Sequence, residues 1–277
     1  MIVVTGATGN IGRPLTRALA EAGEQVTAVS RHVAEVPDGV RHQVADLARP
    51  ETLPLAGAKA LFLLLSGDLH AAGADPADVV RQAVAAGVRR VVLLSTLGVK
   101  TRPFGATRIG MSALEDVVRE SGTDWSILRP GGFASNALWW AESVRTNRVV
   151  AAPFGDTGVP ILDPADIAEV AAACLTDDRH NGAIYELTGP EVITPREQAA
   201  AIAAALGGPV RFHELTRAEA KAGMEQLMPG ELADDTLDIL SSPTPDELRV
   251  SPDVQAVLGR APRSFAGWAV SNVEAFR

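Results

Sequence analysis

Three glycines, at residues 6, 9 and 12, constrain this chain more than any other feature. They stand in Thr5-Gly6-Ala7-Thr8-Gly9-Asn10-Ile11-Gly12. Met1-Ile2-Val3-Val4 before them is a short run of buried-strand residues. Leu15-Thr16-Arg17-Ala18-Leu19-Ala20-Glu21-Ala22 after them has the apolar spacing of an amphipathic helix. The glycines therefore lie where a strand turns directly into a helix, the setting that a dinucleotide-binding loop requires. Each has a physical reason. Gly6 allows the tight turn, Gly9 lets the backbone approach a pyrophosphate, and Gly12 lets the helix pack closely on the sheet. The helix N-terminus then offers N–H groups and the positive end of its dipole to the phosphates. The spacing departs from G-x-G-x-x-G, because Ala7 stands at the first glycine of that pattern and Gly6 one residue earlier.

Strand and helix patterns alternate after this turn. Strands are expected at residues 25–31, 40–47, 60–66, 90–95 and 125–129. Asp75-Pro76 opens a helix that ends at Gly87, and a second helix runs from about Met111 to near Gly122. This alternation predicts an α/β fold, a Rossmann-type doubly wound parallel sheet of order 3-2-1-4-5-6, with the ligand at the carboxyl ends of strands 1 and 4. After Pro130 the pattern changes. A turn at residues 131–136 leads into an aromatic helix carrying Trp139 and Trp140, Asp163-Pro164 caps another helix, and 183–187 returns to the sheet as a strand. The remainder reads as helices at 194–206, 216–228, 251–258 and 264–276. The expected organisation is a nucleotide-binding domain at 1–150, rejoined by 160–189, and a smaller, mainly helical lobe at 190–277 that covers the open side of the nucleotide site.

Composition narrows the function. A net charge of −9 argues against a nucleic-acid partner, which is usually met by a basic face. The one cysteine, Cys174, lies in an apolar helical stretch, reads as a buried structural thiol and fits a reducing cytoplasm. No basic leader precedes the first strand, and no apolar run approaches the roughly 20 residues that span a bilayer. His32, His42, His70, His180 and His213 have no metal-ligand spacing, so no metal is expected.

Arg31 stands at the end of the second strand, where an acidic residue would select NAD and an arginine accommodates the 2′-phosphate of NADP(H). Ser30 could add a hydroxyl donor, and Arg13 a second positive charge. Asp46-Leu47, ending the third strand, would place a carboxylate near the adenine amino group; a turn-forming aspartate is the equal alternative.

With these features on the page, the chain resembles the NmrA-like group of atypical short-chain dehydrogenase/reductases, close to NADPH-dependent quinone, azo-dye and triphenylmethane reductases. The glycine turn, Ser30-Arg31, Leu128-Arg129-Pro130-Gly131-Gly132-Phe133 with Asn136, Asp163-Pro164-Ala165-Asp166-Ile167-Ala168 and the closing residues 257–265 carry the resemblance. It implies that Thr8, Asn10, Ile11, Arg31, Asp46, Leu65, Ser66 and Gly67 contact the cofactor, and that Pro130, Gly131 and Phe133 lie beside the nicotinamide.

One departure matters. Typical members of the wider superfamily use a serine and a Tyr-x-x-x-Lys pair, the lysine lowering the tyrosine pKa for proton transfer. The only tyrosine here is Tyr185, and the two positions fall on about Met111 and Glu115. Ser95, Thr96 and His70 are the remaining candidates for proton transfer. Alcohol oxidation and sugar epimerisation therefore lose their acid–base residue, while hydride delivery to a soft aromatic or quinone-like acceptor survives on positioning. A pocket for a flat acceptor could draw on Phe104, Met111, Phe133, Asn136, Trp139, Trp140 and Phe154. The second reading, from another class, is a non-catalytic NADP(H) sensor that acts through a protein partner. A homodimer is a fold-level expectation.

Overall fold

The computed structural model describes residues 1–65, 75–104, 106–226 and 228–277. The chain runs β1 (Ile2–Val4), α1 (Gly12–Glu21), β2 (Val26–Ser30), β3 (Arg41–Val44), β4 (Ala60–Leu64), α2 (Pro76–Ala85), β5 (Arg90–Leu94), α3 (Gly98–Thr101), α4 (Ala106–Glu120) and β6 (Asp124–Pro130). It continues through β7 (Gly132–Phe133), α5 (Ala141–Asn147), β8 (Val149–Pro153), β9 (Val159–Leu162), α6 (Pro164–Thr176), β10 (Ala183–Leu187) and β11 (Val192–Ile193). The last stretch holds α7 (Pro195–Leu206), β12 (Arg211–Leu215), α8 (Arg217–Met224), α9 (Gly230–Ser241), α10 (Pro245–Leu248), α11 (Asp253–Leu258) and α12 (Phe265–Ser271).

Two compact units share this chain. The first takes Met1–Pro130, Pro164–Leu187 and Asp253–Arg260, and the second takes Gly131–Asp163, Thr188–Pro252 and Ala261–Arg277. The chain thus leaves the first unit at Pro130 rather than near residue 150, because β6 stops pairing with β10 there.

The first unit is built on a seven-stranded sheet in the order β10-β6-β5-β4-β1-β2-β3. All its strand pairs are parallel. This is the expected order 3-2-1-4-5-6, with β10 added beside β6. Strands buried on both faces are continuously apolar, as Leu61, Phe62 and Leu63 in β4 illustrate. Val79, Val80 and Ala83 of α2 and Leu114 and Val118 of α4 pack with Leu61, Leu63, Val91, Leu93 and Ile127. Each large apolar side chain so buried contributes about 1.5–3 kcal/mol. Helix α2 begins as its sequence dictates: Asp75 Oδ1 accepts the Ala77 N–H at 2.9 Å and Pro76 takes the first helical position.

Strand β10 is an edge, and an edge exposes unpaired backbone groups. Asp253 Oδ2 meets one of them, accepting the Glu186 N–H at 2.7 Å. Arg260 ends the same segment by reaching Asp166 Oδ1 at 2.7 Å and Glu169 on α6. These ties explain why residues 253–260, read from sequence as part of the later lobe, join the first unit. Cys174 is buried on α6, and burial pushes its thiol up to about 12.

The second unit is less helical than its sequence suggests. β9 pairs with β7 in parallel and with β11 antiparallel, and β8 pairs with β12 in parallel. None of β8, β9, β11 and β12 was expected, and each is only two to five residues long. Helix α9 was also unforeseen. Three expected helices have different limits: α4 starts at Ala106, α8 ends at Met224, and α12 gives way after Ser271 to a 3₁₀ turn at Val273–Phe276. Phe265, Trp268 and Phe276 anchor this unit's core with Val144, Val150 and Ile202. Among the described residues no helix is long and apolar enough to cross a membrane.

Two outcomes test this description. Arg260→Met removes charged hydrogen bonds from the fully buried Asp166 carboxylate and should cost about 1.5–3 kcal/mol in urea unfolding. Cys174, mostly protonated at pH 8, should resist alkylation there in the native protein and react once the chain is unfolded.

Candidate functional site

The site begins where β1 ends. Thr5 is buried, its N–H donates to Phe62 O at 3.1 Å, and its Oγ1 donates to the same carbonyl at 3.0 Å. The hydroxyl also accepts the Leu64 N–H at 2.8 Å, so the ends of β1 and β4 are tied together. Gly6 then turns the chain at φ +62°, a left-handed conformation natural to glycine. The Ala7 N–H donates to Val29 O at 3.2 Å and fastens the turn to β2.

The other two glycines differ in what the fold asks of them. A Cβ on Gly12 would lie 2.2 Å from Gly6 O and 2.6 Å from Ala7 Cα. The start of α1 therefore packs on the turn itself, where the sequence suggested packing on the sheet. A Cβ on Gly9 would meet only Gly6 O, at 3.3 Å, and Gly9 is exposed and not left-handed. The fold makes a much weaker demand for glycine at this position, which fits a group that approaches from outside, as a pyrophosphate does. Helix α1 has no side-chain cap and no acidic residue in its first turn, so its own side chains leave its positive end available to an anion. Arg13 Nε donates to Thr8 O at 2.8 Å, which holds a guanidinium beside the loop. Thr8 is half-buried and Asn10 exposed, while Ile11 is buried and offers a ligand only its backbone.

A cavity of about 570 Å³ adjoins the turn, between Arg13, Thr16 and Arg17 on α1 and residues 35–38 after β2. Arg31 is exposed at the end of β2. Ser30 is engaged within the chain: its hydroxyl donates to His32 O at 2.7 Å and lies 2.8 Å from His42 Nε2. Asp46 forms a turn, its Oδ1 accepting the Ala48 N–H at 3.0 Å. Leu47 and Leu65 are half-buried against the core of the first unit. Ser66, Gly67 and His70 lie outside the described residues.

The expected Tyr-Lys place holds something else. Met111 packs on the core of the first unit. Glu115 is fully buried and receives three hydrogen bonds. Ser95 Oγ donates to its Oε1 at 2.5 Å, Arg129 Nε to Oε1 at 3.0 Å, and Arg129 Nη2 to Oε2 at 2.5 Å. Arg119 Nη2 lies further off, 3.6 Å from Oε2. Donation to Glu115 raises the Arg129 guanidinium above the usual arginine range, against the effect of its partial burial. The Ser95 proton is thus committed to a carboxylate. Thr96 Oγ1 accepts the Gly98 N–H at 3.2 Å and serves as a local cap. Tyr185 is engaged on β10, 2.7 Å from His180 Nδ1. The Glu115–Arg129 pair escaped the sequence reading, although an arginine between Leu128 and Pro130 and a glutamate beside Leu114 on an apolar face were its signals.

The residues named for an acceptor pocket are divided between the units. Phe104 and Met111 belong to the first, and Phe104 is 92% exposed. Phe133, Asn136, Trp139, Trp140 and Phe154 belong to the second. There Phe133 is half-buried on β7, Asn136 is exposed and Trp140 packs on the core. Phe154 adopts φ +53°, unusual for a bulky residue. Pro130 closes β6, and Gly131 opens the second unit.

Comparison with known proteins identifies the family. Residues 6–178 match the NAD(P)H-binding family. A (4-alkanoyl-5-oxo-2,5-dihydrofuran-3-yl)methyl phosphate reductase of Streptomyces griseus is 37% identical across all of this chain and 99% of its own. An NAD(P)H azoreductase of Xenophilus azovorans is 34% identical over the same shares. The NADPH complex of an NADPH-dependent quinone oxidoreductase from Escherichia coli is 26% identical, with a TM-score of 0.80 over 99% of this chain and 100% of that one. The chain belongs to the NAD(P)H-binding family and is an NAD(P)H-dependent oxidoreductase, as its resemblance to the NmrA-like reductases implied.

The glycines give a paired test. Gly9→Val should leave the melting temperature nearly unchanged and abolish NADPH binding in titration calorimetry. Gly12→Ala should overpack the turn, at about 1–3 kcal/mol or more of stability, before any ligand is added.

Proposed function

We propose that this oxidoreductase prefers NADPH and reduces an electron-poor conjugated acceptor: a quinone, an azo compound or an unsaturated lactone. One observation carries the choice of acceptor: a buried Ser95–Glu115–Arg129 network occupies the place of a proton-transferring pair. NADPH supplies the hydride when bound. The glycine turn and the start of α1 receive the pyrophosphate, and Arg31, helped by Arg13, meets the 2′-phosphate. Ser95 directs its proton to Glu115 and away from an acceptor. The suitable acceptor is one that takes a hydride, delocalises the resulting negative charge and then takes a proton from water. The acceptor gains two electrons and two hydrogens, and the cofactor leaves oxidised.

The activities for which the relatives are named support this class. A quinone, an azo group and an acyl-substituted dihydrofuranone all place the reducible bond in conjugation.

NADPH consumption with a quinone, an azo dye, an unsaturated lactone and a simple ketone tests the proposal. Turnover is expected with conjugated acceptors and not with the ketone. The rate should show no steep dependence on a protein pKa between about pH 6 and 8, where a general acid would titrate. A bell-shaped profile with ketone reduction would overturn the reading, and tight NADPH binding without any turnover would favour the sensor. Arg31→Ala should weaken NADPH roughly 10- to 150-fold and leave NADH nearly unchanged, read by calorimetry.

A further inference from the structure

Glu115 is a buried charge that the proposed chemistry does not use. Stability alone is a poor reason for it, since a buried ion pair is often replaced by apolar residues at no loss of stability. Its partners say more. Ser95 continues β5 and Arg129 lies in β6, so one carboxylate on α4 gathers the carboxyl ends of two adjacent strands. Their backbones are tied at the same level, Ser95 N–H to Leu128 O at 2.7 Å and Leu97 N–H to Pro130 O at 2.9 Å. The Arg129 fork is bidentate, which fixes orientation as well as distance. Pro130 and Gly131, the expected neighbours of the nicotinamide, follow directly in the chain.

We propose that Glu115 is a positioning residue: by holding Arg129 and Ser95 it fixes the β6 exit at Pro130-Gly131 and so the plane of the nicotinamide ring. This rests on the NADPH-dependent reduction proposed above. It assigns to the inverted charge at the former lysine place a geometric role in hydride transfer and no proton transfer.

Two variants test it in the full-length protein. Glu115→Gln keeps the volume and removes the charge. The triple variant Ser95→Ala, Glu115→Met, Arg129→Leu replaces the network by apolar groups and is expected to melt no lower than Glu115→Gln. A misplacement of about an ångström can cost 100-fold in rate, so both should lose about 10- to 100-fold in kcat with a quinone. KM and the NADPH Kd should stay nearly unchanged. The fluorescence of bound NADPH should shift toward that of the free cofactor, because a loosened exit leaves the ring less fixed. Recovery of kcat in the triple variant along with its stability would overturn the proposal, as would unchanged NADPH fluorescence in folded Glu115→Gln. If the unmutated protein reduces no acceptor, the proposed function fails, and the fluorescence comparison alone still decides the role of Glu115. If the triple variant does not fold, Glu115→Gln decides it through kcat and fluorescence.

Discussion

The approach of α1 to the turn before it is the contact on which the rest of the candidate nucleotide site depends. It leaves no room for a Cβ at Gly12 and brings the positive end of the helix to the carboxyl end of β1. The turn is held from two further sides, by Thr5 against β4 and by Ala7 against β2. Three strands and a helix thus set the loop before any ligand arrives. A loop ordered in advance loses little conformational entropy on binding, and that is where affinity for a flexible dinucleotide is usually forfeited. Within this packed corner, Gly9 is the glycine that faces outward.

A second constraint is electrostatic. In the Tyr-Lys arrangement a cation beside the phenol favours its ionised form. Here the corresponding position is acidic, fully buried, and neutralised by an arginine from β6. A buried carboxylate is tolerable only when paired and hydrogen-bonded. Residues 95, 115 and 129 therefore form one unit that cannot change piecemeal. Placing tyrosine at Met111 would not recreate the Tyr-Lys pair, because position 115 holds a carboxylate already bound by Arg129.

Legibility followed the physics of each region. The first unit could be read because its central strands β1, β2, β4 and β5 are almost wholly buried and its helices carry strong start and stop signals, such as Asp75-Pro76 and Gly87. β8, β9, β11 and β12 could not be read, because two to five residues are too few to show a period, and their register comes from partners distant in the chain. The roles expected of Arg31 and the glycines follow from local backbone position, and the left-handed Gly6 and the close packing at Gly12 are the parts of that expectation the fold displays. Ser30 was expected to offer a hydroxyl donor and Asp46 was open between an adenine contact and a turn; in the structure both side chains bond the chain itself. Glu115 and Arg129 are 14 residues apart on different elements, and nothing local marks them as a pair.

On the function proposed above, the absence of the Tyr-Lys pair favours acceptors that do not need a proton at the moment of hydride transfer. Hydride added to a simple ketone leaves a localised alkoxide, a strong base that a catalytic acid must neutralise as it forms. Hydride added to a quinone or an acyl-activated lactone leaves a charge spread over several atoms, which water can protonate afterwards. For the second group the barrier is governed by distance and alignment between donor and acceptor carbons. A rigid network at the carboxyl ends of β5 and β6 serves that requirement better than an acid would. On that proposal substrate selection rests on the electronics of the acceptor, and the Ser95–Glu115–Arg129 network stands where the Tyr-Lys pair is missing.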